Sequence, residues 1–147
     1  MNNKTEKRQL LLIWEISNSL FGINIKHCKK EKKGVPLNPI PTARPFIKGL
    51  VNLRGETSVV CDLLMLLNYG NFDEAGGKPE VIIKLQYVNK NISFLANSVV
   101  EIVSYQEEEL QEASSYLSFE ECEFINKLYD SEYGIVKLID IEKIMLL

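Results

Sequence analysis

The 147-residue sequence contains a single histidine, His27, and a single tryptophan, Trp14. Its three cysteines, Cys28, Cys61 and Cys122, are far apart and odd in number. That fits reduced thiols in a cytoplasmic protein better than a disulfide framework. No Cys-x-x-Cys, His-Glu-x-x-His or phosphate-binding loop occurs, so no metal, nucleotide or other cofactor is expected. No apolar run approaches the roughly 18 to 20 residues of a membrane span, so direct membrane insertion is not expected. The opening MNNKTEKRQ is polar and leads straight into a strand-like pattern, unlike a signal peptide.

Apolar residues make up 46% of the chain, enough to build a packed core. The net charge of −3 conceals an asymmetry. Residues 1–70 carry 11 Lys/Arg against 5 Asp/Glu, a net of +6, whereas residues 71–147 carry 6 against 15, a net of −9. Between Lys90 and Lys127 every charged residue is a glutamate. Such polarity bears on association more than on fold.

Short β-branched or aromatic runs dominate. LLLIWEIS (10–17) and SLFGINI (19–25) flank Asn18 as a hairpin. KHCKKEKK (26–33) continues without an apolar face, and four prolines in 34–45 exclude a central strand or helix interior there. FIKGLVNLRGETSVVCDLL (46–64) predicts two strands around a turn, then a short helix capped by Asp62 and stopped at Gly70. Residues 71–80 have a linker's composition. VIIKLQYV, NISFLA and SVVEIVSY predict three further strands before an acidic stretch, 106–123.

The final segment repeats an earlier one. Phe46-Ile47 and Asp62-Leu63 recur as Phe124-Ile125 and Asp140-Ile141 at an offset of 78 residues. LLIWEISNSLFGINI and VIIKLQYVNKNISFL also match as hairpins. The chain therefore reads as one domain, 1–147, built from two diverged copies of a β unit. The expected fold is mainly β: two packed, intertwined five-stranded SH3-like barrels with short helices. Their boundaries are placed at roughly 20–75 and 76–147, with strand 8–17 free to pack on either.

PIPTARPFIKGLVNLRG followed by VVCDL resembles the CheW family, the coupling proteins of bacterial chemotaxis. The resemblance is densest at Pro41, Pro45 to Gly49, Asn52 to Gly55, Asp62 and Leu63. It implies a non-catalytic scaffold that binds chemoreceptor cytoplasmic tips and a CheA-type histidine kinase, in the cytoplasm beside membrane-bound receptor arrays. The residues implicated are Phe46, Ile47, Lys48, Gly49, Asn52, Arg54, Gly55, Lys29, Lys30 and Val99, with a groove formed near 46–60 and 95–103. The chain departs from the family at Cys28-Lys29-Lys30-Glu31, where relatives usually carry an apolar-x-Glu-Ile motif. Lys30 reverses the charge of that motif.

The residues carry blander readings too. An arginine beside a turn glycine is often only solvated, but its planar guanidinium can hold a carboxylate bidentately. Glu31 or Glu56 would then replace the family's acid. Gly55 suits positive φ, and Gly49 a close backbone approach. The lysine run suits an exposed edge strand. It lacks the neighbouring aromatics of a nucleic-acid site, so nucleic acid is not an expected partner. A small barrel binding nucleic acid or a small molecule is the rival reading. His27-Cys28 would point apart on a strand, so no nucleophile–base pair is expected. The charge split predicts weak head-to-tail self-association.

Overall fold

The structure is a computed structural model, and it describes residues 8–33, 36–41, 43–74 and 81–147, with backbone alone for 29–33. β1 (Gln9–Ile16) and β2 (Ser19–Asn24) form the first hairpin around Ser17-Asn18. A 3₁₀ turn over Ile25–His27 leads into β3 (Cys28–Lys33). β4 (Ile47–Leu53), β5 (Glu56–Cys61) and helix α1 (Leu63–Leu66) complete the first copy. The second copy runs β6 (Val81–Tyr87), β7 (Lys90–Ala96), β8 (Ser98–Tyr105), the two-residue β9 (Gln111–Glu112), β10 (Ile125–Ser131), β11 (Gly134–Ile139) and α2 (Ile141–Ile144). Three 3₁₀ turns and β9 account for most of the acidic stretch.

Two sheets result. One has the order β3-β6-β7-β5-β4 and the other β8-β1-β2-β11-β10-β9. Replacing each strand of the first by its counterpart in the other copy reproduces the second, apart from β9. The duplication is therefore real in the topology. Neither order closes on itself among the described residues, so the SH3-like units are open sheets rather than closed barrels.

The strands do not sort as the sequence reading divided them. The five-stranded sheet takes β3 to β5 from the first copy and β6 and β7 from the second. The other sheet joins β1 and β2 to β8–β11. Each copy lends its hairpin to the other, so a boundary near 75/76 cuts through both sheets. The joints are the two parallel pairs, β5 with β7 and β11 with β2. For the same reason the +6 and −9 halves do not correspond to two sheets.

Exchange explains the uninterrupted apolar runs. In β1, Leu11 and Ile13 enter one cluster with Val136 and Leu138, while Leu12, Trp14 and Ile16 face the larger core shared with the other sheet. A strand buried on both faces needs apolar residues at every position, so the period-2 signal disappears.

Local details repeat with the fold. Ser17 and Val88, 71 residues apart, both have φ 57° in the hairpin turns. The register shifts between Ile47 and Gly49, and again between Ile125 and Lys127. Asp62 N donates to Phe46 O at 2.7 Å, and Asp140 N to Phe124 O at 2.8 Å. Helices of four residues have no independent stability and depend on such anchors. The stop of α1 is Asn68 rather than Gly70. Asn68 has φ 64°, its N–H reaches Met65 O at 3.2 Å, and Tyr69 N reaches Leu64 O at 2.8 Å. These two bonds form a Schellman motif, which asparagine tolerates better than most residues.

Candidate functional site

Asn52 to Gly55 form the tip of the β4–β5 hairpin. Leu53 pairs with Glu56, leaving a two-residue turn of Arg54 (φ 54°) and Gly55 (φ 79°). Two left-handed residues in succession make the primed turn that suits strand twist, normally occupied by Asn-Gly. Asn52 Oδ1 accepts the Gly55 N–H at 2.9 Å and holds the turn closed. Arginine in the left-handed region costs on the order of 1 kcal/mol relative to glycine. It is exposed here, so core packing does not account for it.

The expected partner Glu56 is engaged elsewhere. It pairs with Lys84, a residue only 3% exposed at the centre of β6. A buried ammonium requires a counter-charge, and Glu56 supplies it from two strands away. Lys84 lies in register with Lys30 on one side and Ser93 on the other. Ser93 and Ser58 share a buried hydroxyl–hydroxyl bond of 2.7 Å. Lys29 and Lys30 sit on β3 at one end of the sheet order, as an edge strand should. Lys48 pairs with Asp73 at 3.0 Å. Gly49 allows Asn38 to bond both ways with Leu50 (2.9 and 2.8 Å), and a Cβ there would stand 2.7 Å from Asn38 O. Val99, on β8, is half-buried opposite Trp14.

Phe46 and Ile47 open onto a groove of about 670 Å³. Its other walls come from residues 43–44, 59–61, 90–92 and 144–147, not from 95–103. Phe46, Val59, Ile92, Met145 and Leu147 make it largely apolar, with Arg44 and Lys90 contributing charge. Lys90 Nζ donates to Met145 O at 3.2 Å. Asn91 also lines it, and its Oδ1 is buried with no hydrogen-bond partner among the described residues.

At the pseudo-equivalent place in the other copy three side chains hold one another. There Tyr69 donates to Glu121, Lys137 Nζ donates to Tyr69 Oη at 2.6 Å, and Lys137 lies 4.5 Å over the Tyr69 ring. At the 78-residue offset, Tyr69, Glu121 and Lys137 correspond to Leu147, Ala43 and Val59, all of which line the open groove. Burial and the neighbouring carboxylate raise the Tyr69 hydroxyl's pKa, whereas the Tyr69 hydrogen bond, above all, holds Glu121 below its ordinary 4.5.

The expectation that His27 and Cys28 share a strand is not met. His27 ends the 3₁₀ turn, not a strand, and meets the Tyr87 ring edge-on at 5.5 Å. Burial, chiefly, lowers its pKa. The Cys61 thiol is pushed up to about 12 by burial and by Asp62, which makes a thiolate there unfavourable at neutral pH.

These features coincide with a known pattern over nearly the whole chain: a CheW-like domain family model matches residues 10–146. The chain belongs to the CheW family. Its role is accordingly that of a chemotaxis adaptor, in a family of generally non-catalytic scaffolds. The chemotaxis protein CheW of Bacillus subtilis is 19% identical over 145 residues, covering 99% of this chain and 92% of the relative. The CheW of Klebsiella aerogenes is 23% identical, covering 93% and 81%. The scaffolding protein TtCheW from Thermoanaerobacter tengcongensis shares the fold at a TM-score of 0.79 and 19% identity, covering 91% of this chain and 90% of that one.

Sequence reasoning overlooked Lys84 and most of the groove. Lys84 leaves a trace, as a lone charge inside VIIKLQY, where a strand buried on both faces should be apolar throughout. The groove leaves none, because its walls lie up to a hundred residues apart.

Proposed function

We propose that this CheW-family chain is a non-catalytic scaffold that couples chemoreceptor cytoplasmic tips to a CheA-type histidine kinase in receptor arrays. The observation that carries this reading is the Asn52–Gly55 hairpin tip, where Arg54 is held in the left-handed region and turned to solvent within the family's densest motif. Recognition runs through that tip together with Phe46, Ile47 and the edge strand bearing Lys29 and Lys30. Lys48, Gly49 and Asn52 fix the strand and turn that present it, and Val99 supports β8. Glu56 pairs with Lys84 and the Glu31 side chain lies outside the described residues; in this reading Arg54 takes a carboxylate of the partner.

Weak head-to-tail association of copies is part of this proposal, and with the +6 and −9 halves shared between the sheets it rests on local patches of unlike charge rather than on a dipole between the sheets. Co-sedimentation with receptor fragments and kinase tests the coupling role. Arg54→Ala should keep the fold and weaken capture of at least one partner by about 2 kcal/mol, the range for a truncated interfacial charge pair. Normal capture of both would remove Arg54 from the interface. The small-barrel alternative predicts salt-sensitive binding of unrelated nucleic acid in place of receptor capture, and no feature of the groove favours it.

A further inference from the structure

A second cavity, of about 420 Å³, lies between the end of β2, the end of β8 and the cap of α2. That volume is within the range of small-molecule sites. Ile23, Leu110, Leu138 and Ile141 give it an apolar side, and Tyr87 and Tyr105 also line it. Its charges do not balance. Glu107, Asp140 and Glu142 stand against Lys26 and Lys127, and Lys127 is already paired with Glu112. His27, its pKa lowered chiefly by burial, adds no charge at neutral pH.

The repeat shows what such a place accepts. At the 78-residue offset, Asn126 and Asp140 of the cavity correspond to Lys48 and Asp62. In the first copy both of these are engaged. Phe72, only 1% exposed, donates its N–H to Asp62 Oδ2 at 2.7 Å, and Asp73 pairs with Lys48 at 3.0 Å. Among the described residues, the Asp140 side chain accepts from Lys143 N alone, at 3.3 Å. A carboxylate has about four acceptor sites, so Asp140 keeps capacity for a further donor.

We propose that this cavity binds a small molecule carrying a primary ammonium beside an aromatic ring. The ammonium donates to Asp140, as the Phe72 N–H does to Asp62, and Glu107 and Glu142 add to the attraction. The ring packs against Leu110, Leu138 and Ile141. Such a ligand is either a free aromatic amino acid, whose carboxylate meets Lys26, or an amine without a carboxylate. The inference adds a ligand to the adaptor and does not depend on which partners it couples.

Isothermal titration of the full chain with 2-phenylethylamine, L-phenylalanine and 3-phenylpropanoate reads the chemistry, and amide-shift mapping places the site. Both amines should bind, with shifts centred on residues 24–27, 105–110 and 138–142. The 3-phenylpropanoate, which lacks the ammonium, should bind at least about ten-fold more weakly. Asp140→Asn keeps a capping side chain and should weaken both amines about ten-fold, the scale of one charge-assisted hydrogen bond. If that variant does not fold, the exposed Glu107→Gln serves, with a loss of about three-fold expected from one screened charge. Lys26→Ala separates the two ligands, weakening L-phenylalanine but not 2-phenylethylamine. No binding of either amine at roughly 10 mM overturns the proposal. Equal binding of 3-phenylpropanoate, undiminished binding to the Asp140 and Glu107 variants, or shifts centred on the Phe46 groove overturn it too.

Discussion

Two places in this molecule correspond across the 78-residue repeat; one is bridged by polar side chains, and the other is an apolar groove. Around Tyr69, the ring, the Glu121 carboxylate and the Lys137 ammonium satisfy one another. Around Leu147, the corresponding Ala43 and Val59 carry no polar group, and an apolar groove remains. The cap residues diverge in the same direction. Asp62 is fully buried and accepts from Leu64 N (3.0 Å), Met65 N (3.3 Å) and Phe72 N (2.7 Å). Asp140 is half-buried and accepts from Lys143 N at 3.3 Å. Duplication supplied two equivalent frames; polar side chains bridge one, and the other lacks them and keeps an apolar groove.

The largest expected asymmetry is between those caps. Asp62→Ala should cost about 3 kcal/mol, combining a lost cap with a buried Phe72 N–H left without an acceptor. Asp140→Ala should cost about 1 kcal/mol. Equal losses in denaturant melts would show that the copies contribute alike. Next comes the bulge. Gly49→Ala meets Asn38 O at 2.7 Å and should cost about 2 kcal/mol, whereas Lys127→Gly at the equivalent place should cost under about 1 kcal/mol.

The closed site also has a pH signature. The folded-state pKa of Glu121 is depressed, so its contribution is present above the unfolded value and lost as pH falls through the folded one. Tyr69→Phe should therefore flatten the fall in melting temperature below pH 4.5, while Leu147→Ala in the open groove should leave that slope unchanged. An identical acid slope in Tyr69→Phe would mean that the triad does not hold the site shut. The smallest effect has the opposite sign. Arg54→Asn relieves the left-handed arginine and should stabilise the fold by roughly 0.5–1 kcal/mol while weakening partner capture. A destabilised Arg54→Asn protein would make the arginine structural.

Hairpins and helix N-caps were legible in the sequence because each is decided within a few residues. Ser17-Asn18 and Arg54-Gly55 are turns by their own chemistry, and Asp62 and Asp140 announce helices whose N–H groups lie two or three positions on. The 78-residue offset likewise needs no coordinates. Which hairpin joins which sheet was not legible. β1–β2 and β6–β7 are near-equivalent, and the choice depends on the parallel pairings of Val60 with Ser93 and Val136 with Leu20, between strands distant in sequence. The same holds for the partner of Lys84 and for the open groove. Sequence by itself determined the elements, the duplication and the CheW motif, since propensity, capping and turn geometry are local free energies. Only the tertiary structure decided the exchange of hairpins and the closing of one groove but not the other, because those outcomes rest on non-local contacts that exist only once distant strands have paired.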